Sequence, residues 1–194
     1  MRIRRAQPHE LDTVVRLREE MKAELGRRGL DQWQSDWPDR DTMLAGFRAD
    51  VEAGHTWFAE HEGQVVGMAT INTSTAPGLW TEDETADALF IHRLTRAVDA
   101  PVRGVGQILL NHADQLAIEA GRSWLRLDAW TTNRDLHDYY RRMGFRFVGI
   151  VDHHSPSAAL FERPVRKAER GCDTPNVQMP DMHVATRKAA APQK

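Results

Sequence analysis

The most chemically suggestive spacing in this chain is a pair of glycines. In Leu94-Thr95-Arg96-Ala97-Val98-Asp99-Ala100-Pro101-Val102-Arg103-Gly104-Val105-Gly106-Gln107-Ile108-Leu109-Leu110 a strand-like segment runs into a loop, and the glycines open a stretch of helical periodicity. Glycine at such a point lets backbone N–H groups approach an anion unobstructed, and the helix N-terminus adds roughly half a positive charge. Arg103 places a mobile cation at the rim. In physical terms this is a cradle for a pyrophosphate. Two glycines also suit a tight turn, so their position after a strand matters more than their presence. No Gly-Lys-Ser/Thr follows, which excludes a P-loop, and the G-x-G-x-x-G of a dinucleotide site is absent. None of the nine histidines falls in a zinc-site spacing, so no metal is expected.

The elements that must position this cradle alternate along the chain. Residues 2–6 read as a short strand, and Pro8 suits the first helical position, where its missing N–H costs nothing. Leu11, Val14, Val15, Leu17, Met21 and Leu25 then form one helical stripe that stops near Gly26 and Gly29. After a tryptophan-containing loop, residues 41–53 form a second helix with Leu44, Phe47 and Val51 inward. Residues 56–60 and 64–73 make a hairpin about Glu62-Gly63. Residues 75–87 are an acidic loop, 88–95 a strand, 105–120 a helix and 124–130 a strand. Asn133 caps a helix running to Met143, with Gly144 just beyond it, and residues 146–151 and 158–162 finish as strands. Strand–helix–strand after residue 88 requires a parallel pair, while the hairpin makes the sheet mixed.

Composition bounds the setting. At 194 residues with 41% apolar and 28% charged side chains, the chain is an ordinary globular protein of one domain plus extensions. A net charge of −2 gives no basic footprint for nucleic acid. One cysteine, Cys172, allows no internal disulfide, which fits a reducing compartment. The N-terminus lacks the apolar core of a signal peptide, and no run approaches the ~20 apolar residues of a membrane helix. A cytoplasmic protein is expected, with no nucleic-acid or membrane partner. Residues 164–194, rich in proline and without apolar periodicity, are expected to be a flexible tail behind a 1–163 domain.

A second stretch gives the glycine pair its context. Leu125-Arg126-Leu127-Asp128-Ala129-Trp130-Thr131-Thr132-Asn133-Arg134-Asp135-Leu136-His137-Asp138-Tyr139-Tyr140-Arg141-Arg142-Met143-Gly144-Phe145 follows at a fixed separation. Together the two stretches resemble the GNAT superfamily of acetyl-CoA-dependent N-acetyltransferases. The first is similar to that family's Arg/Gln-x-x-Gly-x-Gly/Ala coenzyme A loop. The second is similar to its Leu-x-Leu-Glu-Val, Asn, Tyr, Gly-Phe pattern, with Asn133, Tyr140, Gly144 and Phe145 in register. The resemblance covers residues 94–149, and the first ninety match in element order only. One departure is Pro101 at the Arg/Gln position, which removes a side-chain donor and a backbone N–H. Fewer pyrophosphate bonds follow, each worth ~1.5–3 kcal/mol when charge-assisted, with Arg103 compensating.

The resemblance implies an α/β fold: a mixed central sheet flanked by helices and splayed between its fourth and fifth strands to admit the pantetheine arm. It implies acetyl-CoA as co-substrate, held by Leu94, Arg96, Val102, Arg103, Gly104, Val105, Gly106, Gln107, Asn133 and Tyr140. It also makes Tyr140 the hydrogen-bond donor to the leaving thiolate, a thiol of pKa ~8.5 beside a phenol of ~10. The alternative for Tyr140 is an aromatic core residue. An amine acceptor must lose a proton, and two bases are candidates. Asp128 occupies the family's carboxylate position. His92, on the neighbouring strand, starts near ~6.5 and is better matched to the task. Alternation puts Asp128 with Arg126 and Trp130 on one face, and His92 opposite to Ile91 and Arg93. Their plainer readings are a surface carboxylate paired with Arg126 and a histidine satisfied by backbone. Trp33 and Trp37, with Trp80, lie in loops that border the acceptor pocket in this family, where they could stack on a substrate or equally cap the core, and Asp128 would attract a cationic acceptor. The acidic Glu82-Asp83-Glu84 and Asp87 could attract a cationic amine, but a charge run of this kind is usually a solvated loop, and that reading is preferred. His153-His154 is followed by Ala158 where the paired-histidine acyltransferases carry Asp, so that chemistry is rejected. The expected acceptor is a small-molecule or peptide amine, and a homodimer is allowed. A longer acyl-CoA, another nucleophile, or a CoA-binding module without catalysis are the alternatives.

Overall fold

The computed structural model describes residues 1–35 and 38–166. Trp37, Cys172 and residues 167–194 therefore lie outside the described residues. Seven strands form one sheet: β1 (Arg2–Arg5), β2 (Thr56–His61), β3 (Gln64–Asn72), β4 (Ala88–Arg96), β5 (Trp124–Trp130), β6 (Arg146–Ile150) and β7 (Ser157–Pro164). Their order is β1-β2-β3-β4-β5-β7-β6. Only β4 and β5 run parallel, joined by the crossover helix α4 (Val105–Glu119). The remaining helices are α1 (Leu11–Arg27), α2 (Arg40–Glu52), α3 (Glu82–Ala86) and α5 (Arg134–Arg142).

Period-two alternation divides the core. Ala69 and Ile71 of β3, Leu89 and Ile91 of β4, and Leu125, Leu127 and Ala129 of β5 face α4 and α5. There they meet Leu109, Leu110 and Ala113 of α4 and Tyr139, Tyr140 and Met143 of α5. Phe58 and Met68 face the other way, onto Val14 and Leu17 of α1 and Phe47 and Val51 of α2. Full burial of side chains such as Phe58 and Met68 stabilises by about 1.5–3 kcal/mol each. On that same second face, Leu79 and Trp80 cover Phe90 and Leu160.

Two expectations are corrected here. The acidic segment is not wholly a loop, since Thr81 and Glu84 form a reciprocal capping box that starts α3. These acids act locally: Glu84 accepts from the Thr81 amide, and Asp87 accepts from the Ser123 amide at 2.9 Å. The domain also runs past residue 163. Pro164 ends β7, the Val165 amide bonds Ser123 O, and the Arg166 amide bonds Asp114.

Candidate active site

The β4–β5 pairing is short. It joins Ala88 to Trp124, Leu89 to Leu125 and Phe90 to Arg126, and no further residues pair. Both strands continue, β4 to Arg96 and β5 to Trp130, so the sheet opens between its fourth and fifth strands as expected. Carrying the register two residues onward sets His92 opposite Asp128 across that opening. The two groups sense each other, because the Asp128 carboxylate raises the His92 pKa. Burial acts more strongly in the other direction, and the His92 pKa is lowered from the ordinary imidazole value. His92 is therefore neutral near pH 7. Its Nε2 lies 2.9 Å from Ser74 O, which assigns the ring proton to Nε2 and leaves Nδ1 as the basic nitrogen.

A bulge in β4 shapes the mouth of the opening. Met68 pairs with Thr95 but Thr70 pairs with His92, so Arg93 and Leu94 together oppose the single residue Ala69. Arg93 adopts the left-handed conformation, φ 51°. This corrects the alternation expected for β4. The bulge turns the Arg93 side chain to the α2 side, where it donates to Asp50 Oδ2 at 2.5 Å and Thr70 Oγ1 at 3.0 Å. Its guanidinium also lies 4.7 Å from the centroid of Phe47. Asp50 accepts from Asn72 as well, at 3.2 Å. Asp50, Asn72, Ser74, His92 and Arg93 line an open cleft of about 380 Å³. Neither Asp50 nor Asn72 stands in a motif, so only tertiary structure shows them at the site.

Asp128 is not paired with Arg126. Arg126 instead donates to Glu162 at 3.0 Å and is flanked by the rings of Trp80 and Trp124. Asp128 is thus left facing the opening.

On the other side of the sheet, α5 delivers Tyr140. Its ring packs against Tyr139, Phe145 and Phe161. Burial, then the neighbouring Tyr139 and Asp128, drive its pKa far upward. The phenol therefore holds its proton at neutral pH. It donates hydrogen bonds readily but gives up the proton only at substantial cost.

The glycine pair does open α4, although the two residues act differently. Gly104 is the residue before the helix, with φ 76°, a conformation that disfavours any Cβ, and the space about it is open. The amides of Val105, Gly106 and Gln107 follow in the first turn, where helix geometry provides no intrahelical acceptor. Gly106 was expected to leave room for a phosphate. Its missing Cβ instead makes room for the Tyr139 hydroxyl, which is sealed without a partner among the described residues. Arg96 folds back onto Ala97 O and Val98 O, at 3.1 and 2.9 Å, and so shapes the loop from its side chain. Leu94 and Val102 pack on the α4-side core, while Arg103 is exposed at the rim.

Asn133 has a structural task. Its Oδ1 accepts from the Leu136 amide at 3.0 Å, capping α5, and its Nδ2 donates to Gln32 Oε1 at 2.6 Å. Beside it Asp31 accepts from Trp130 Nε1 at 3.2 Å and Thr132 Oγ1 at 2.6 Å. These bonds dock the loop after α1 against the end of β5. Trp33, in that loop, lies over Arg18 with 5.1 Å between guanidinium and ring centroid. Among the described residues no group of side chains could hold a metal ion, and no helix is long and apolar enough to cross a membrane.

Known proteins resemble this chain in sequence and in fold. The chain is 26% identical over 141 residues to the uncharacterised N-acetyltransferase YesJ of Bacillus subtilis (strain 168), covering 71% of this chain and 76% of YesJ. Its fold superposes on a GNAT-family acetyltransferase from Listeria monocytogenes with a TM-score of 0.68 and 22% identity, over 84% of this chain and 94% of that one. The PaiA N-acetyltransferase of Thermoplasma acidophilum, solved in complex with coenzyme A, gives a TM-score of 0.65 at 15% identity, over 84% and 98%. The sequence profile described as the Acetyltransferase (GNAT) family matches residues 16–145, two-thirds of the chain and all of the elements that form the opening. This chain belongs to the GNAT family of acetyltransferases.

Proposed function

We propose that the protein transfers the acetyl group of acetyl-CoA directly to an amine within the β4–β5 opening. One observation carries this reading: pairing stops at Phe90–Arg126, and a neutral histidine and a carboxylate face each other just beyond. In this reading the pyrophosphate of acetyl-CoA binds the first-turn amides of α4, and the thioester enters the gap. The relative crystallised with coenzyme A supports that co-substrate.

The acceptor approaches from the cleft on the α2 side. His92 Nδ1 takes a proton from the ammonium, and Asp128 stabilises the imidazolium that results. The amine nitrogen then bonds to the thioester carbon. The carbonyl oxygen becomes an oxyanion, held by a β4 backbone N–H at the bulge near Leu94. Collapse breaks the carbon–sulfur bond. Tyr140 donates a hydrogen bond to the departing thiolate, which takes, directly or through solvent, the second proton that the nitrogen sheds as it becomes an amide. The products are an N-acetyl amine and coenzyme A, with no acetyl-enzyme between them.

The test is amine-dependent release of CoA thiol across a panel of amines, with mass spectrometry of each product. Release that tracks a product bearing one added acetyl group is expected. Acetyl-CoA binding without thiol release from any amine would contradict transfer and leave a binding module.

A further inference from the structure

Helix α1 bridges the opening. Near its start, Val14 and Leu17 rest on Phe58, Met68 and Ala97, on the β2–β4 side. Beyond its end, Arg28 bonds Asp135 of α5 at 3.1 Å, and Asp31 and Gln32 hold Trp130, Thr132 and Asn133 on the β5 side. Seventeen residues, about 25 Å of helix, thus pass from one lip of the gap to the other. Arg18 lies in the middle of that passage.

Arg18 is only 8% exposed. A guanidinium has five N–H donors, and a buried one is ordinarily matched by a bidentate carboxylate or several carbonyls. Among the described residues, Arg18 makes one hydrogen bond, from Nη1 to the carboxylate of Glu19 at 3.1 Å. Glu19 is its neighbour on the helix and is itself 39% exposed, so water shares that carboxylate. Burial lowers the Arg18 pKa, and it outweighs the pull of Glu19. The fold has largely buried a cation whose other donors meet no protein acceptor among the described residues and are still reached by solvent. Trp33 completes the setting. Its ring lies over the guanidinium and its backbone is left-handed, φ 63°. A bulky residue keeps that conformation only when its surroundings impose it, and the flanking bonds of Asp31 and Gln32 do so.

We infer that Arg18, backed by Trp33, binds a carboxylate on the acceptor, so that the acceptors are amines that also carry a carboxylate, such as amino acids. The inference rests on the N-acetyltransferase reading above and adds the substrate class. Charge favours it, because Asp128 at the edge of β5 suits the ammonium end of a zwitterion and Arg18 on the bridging helix suits the anionic end. The phosphates of acetyl-CoA are a less fitting anion. Their cradle is the start of α4, which packs on the opposite face of the sheet from α1.

The experiment compares kcat/KM for amino acids and for their carboxamides, in the wild type and in Arg18→Met and Arg18→Lys. Differences in amine pKa cancel when the acid-to-amide ratio of each variant is divided by that of the wild type. Arg18→Met is expected to lower the ratio at least tenfold by loss of rate on the acids alone. Arg18→Lys should restore part of it, with the carboxamide rates and Tm near wild type. A purely structural arginine would instead lower both rates together and leave the ratio unchanged, which overturns the inference alone. So does a rise in acetyl-CoA KM with an unaltered ratio. Failure of the wild type to acetylate any amine removes the transferase reading, and this inference with it.

Discussion

The two sides of the β4–β5 opening are built by different means. The α4 side is local: one contiguous run from Leu94 to Gln107 supplies strand, loop and helix start, and in the proposed reading its working groups are backbone amides. The α1–α2 side is assembled from afar. Arg18, Gln32, Asp50, Asn72 and His92 come from five separate segments and, in the proposed reading, act through their side chains. The difference follows from what each half must recognise. A pyrophosphate is the same in every acetyl-CoA, so a backbone device suffices. An acceptor differs among enzymes, and only side chains drawn from several elements can be altered one at a time.

The largest effect separating the halves is expected at the leaving group. Tyr140→Phe keeps the ring against Phe145 and Phe161 and removes only the hydroxyl. The kcat should fall by about 10²–10³, as for loss of one hydrogen-bond donor to developing negative charge, with acetyl-CoA KM little changed. A wild-type kcat would return Tyr140 to the core as an aromatic residue. Next comes the phosphate side. Gly106→Leu must displace the Tyr139 hydroxyl and with it the start of α4. Calorimetry should show acetyl-CoA Kd raised at least about tenfold, and Tm should drop as well, since overpacking costs about 1–3 kcal/mol. Unchanged binding would sink the cradle.

On the acceptor side the effects are smaller and fall on a different substrate. Asp31→Ala removes two of the bonds that dock the loop after α1. Acceptor KM should rise by roughly three- to tenfold while acetyl-CoA KM stays put, as expected for loss of about 1 kcal/mol of hydrogen bonding in positioning. Equal changes in both constants would show that the halves are not separable.

Legibility follows the same division. The seven strands and the glycine-opened helix are readable, because alternation and glycine placement are local signals, whereas the opening between the fourth and fifth strands is only implied by the resemblance to the family. The start of α3 was readable too, in Thr81-x-x-Glu84, but the surrounding acids pointed to a loop. The bulge was not, because nothing in Ile91-His92-Arg93-Leu94 marks Arg93 for a left-handed backbone. That turn sends Arg93 to Asp50, against simple alternation. Gly106 was read for its neighbour in sequence space, a phosphate, when its nearest neighbour in space is Tyr139. Asn133 was expected to meet the cofactor, and its amide is engaged by Leu136 and Gln32. Arg18 sits on the apolar stripe of α1 as an unremarked polar residue, and its burial becomes visible only when Trp33 is folded over it.

The smallest effect concerns stability. Burial lowers the pKa of His92 and of His112, whose ring meets Trp57 edge-on. The folded chain therefore binds fewer protons than the unfolded chain once pH falls below the ordinary imidazole pKa of ~6.5. Stability from these groups is complete above that value and is lost as pH drops toward their folded pKa values. Urea midpoints should fall between about pH 7.5 and about pH 5.5, and His112→Phe should flatten that fall.

The most direct measurement is the pH dependence of kcat/KM in wild type and in His92→Gln, with an acceptor amine of high pKa. Such an acceptor stays an ammonium throughout the window, so its own ionisation lies above it. Wild-type kcat/KM is expected to rise through an ionisation below the ordinary imidazole value, and this ionisation should disappear in His92→Gln together with most of the rate. A variant with the same rate and the same profile would show that His92 is not the base, and that the side chains facing each other across the opening do not carry the proton transfer.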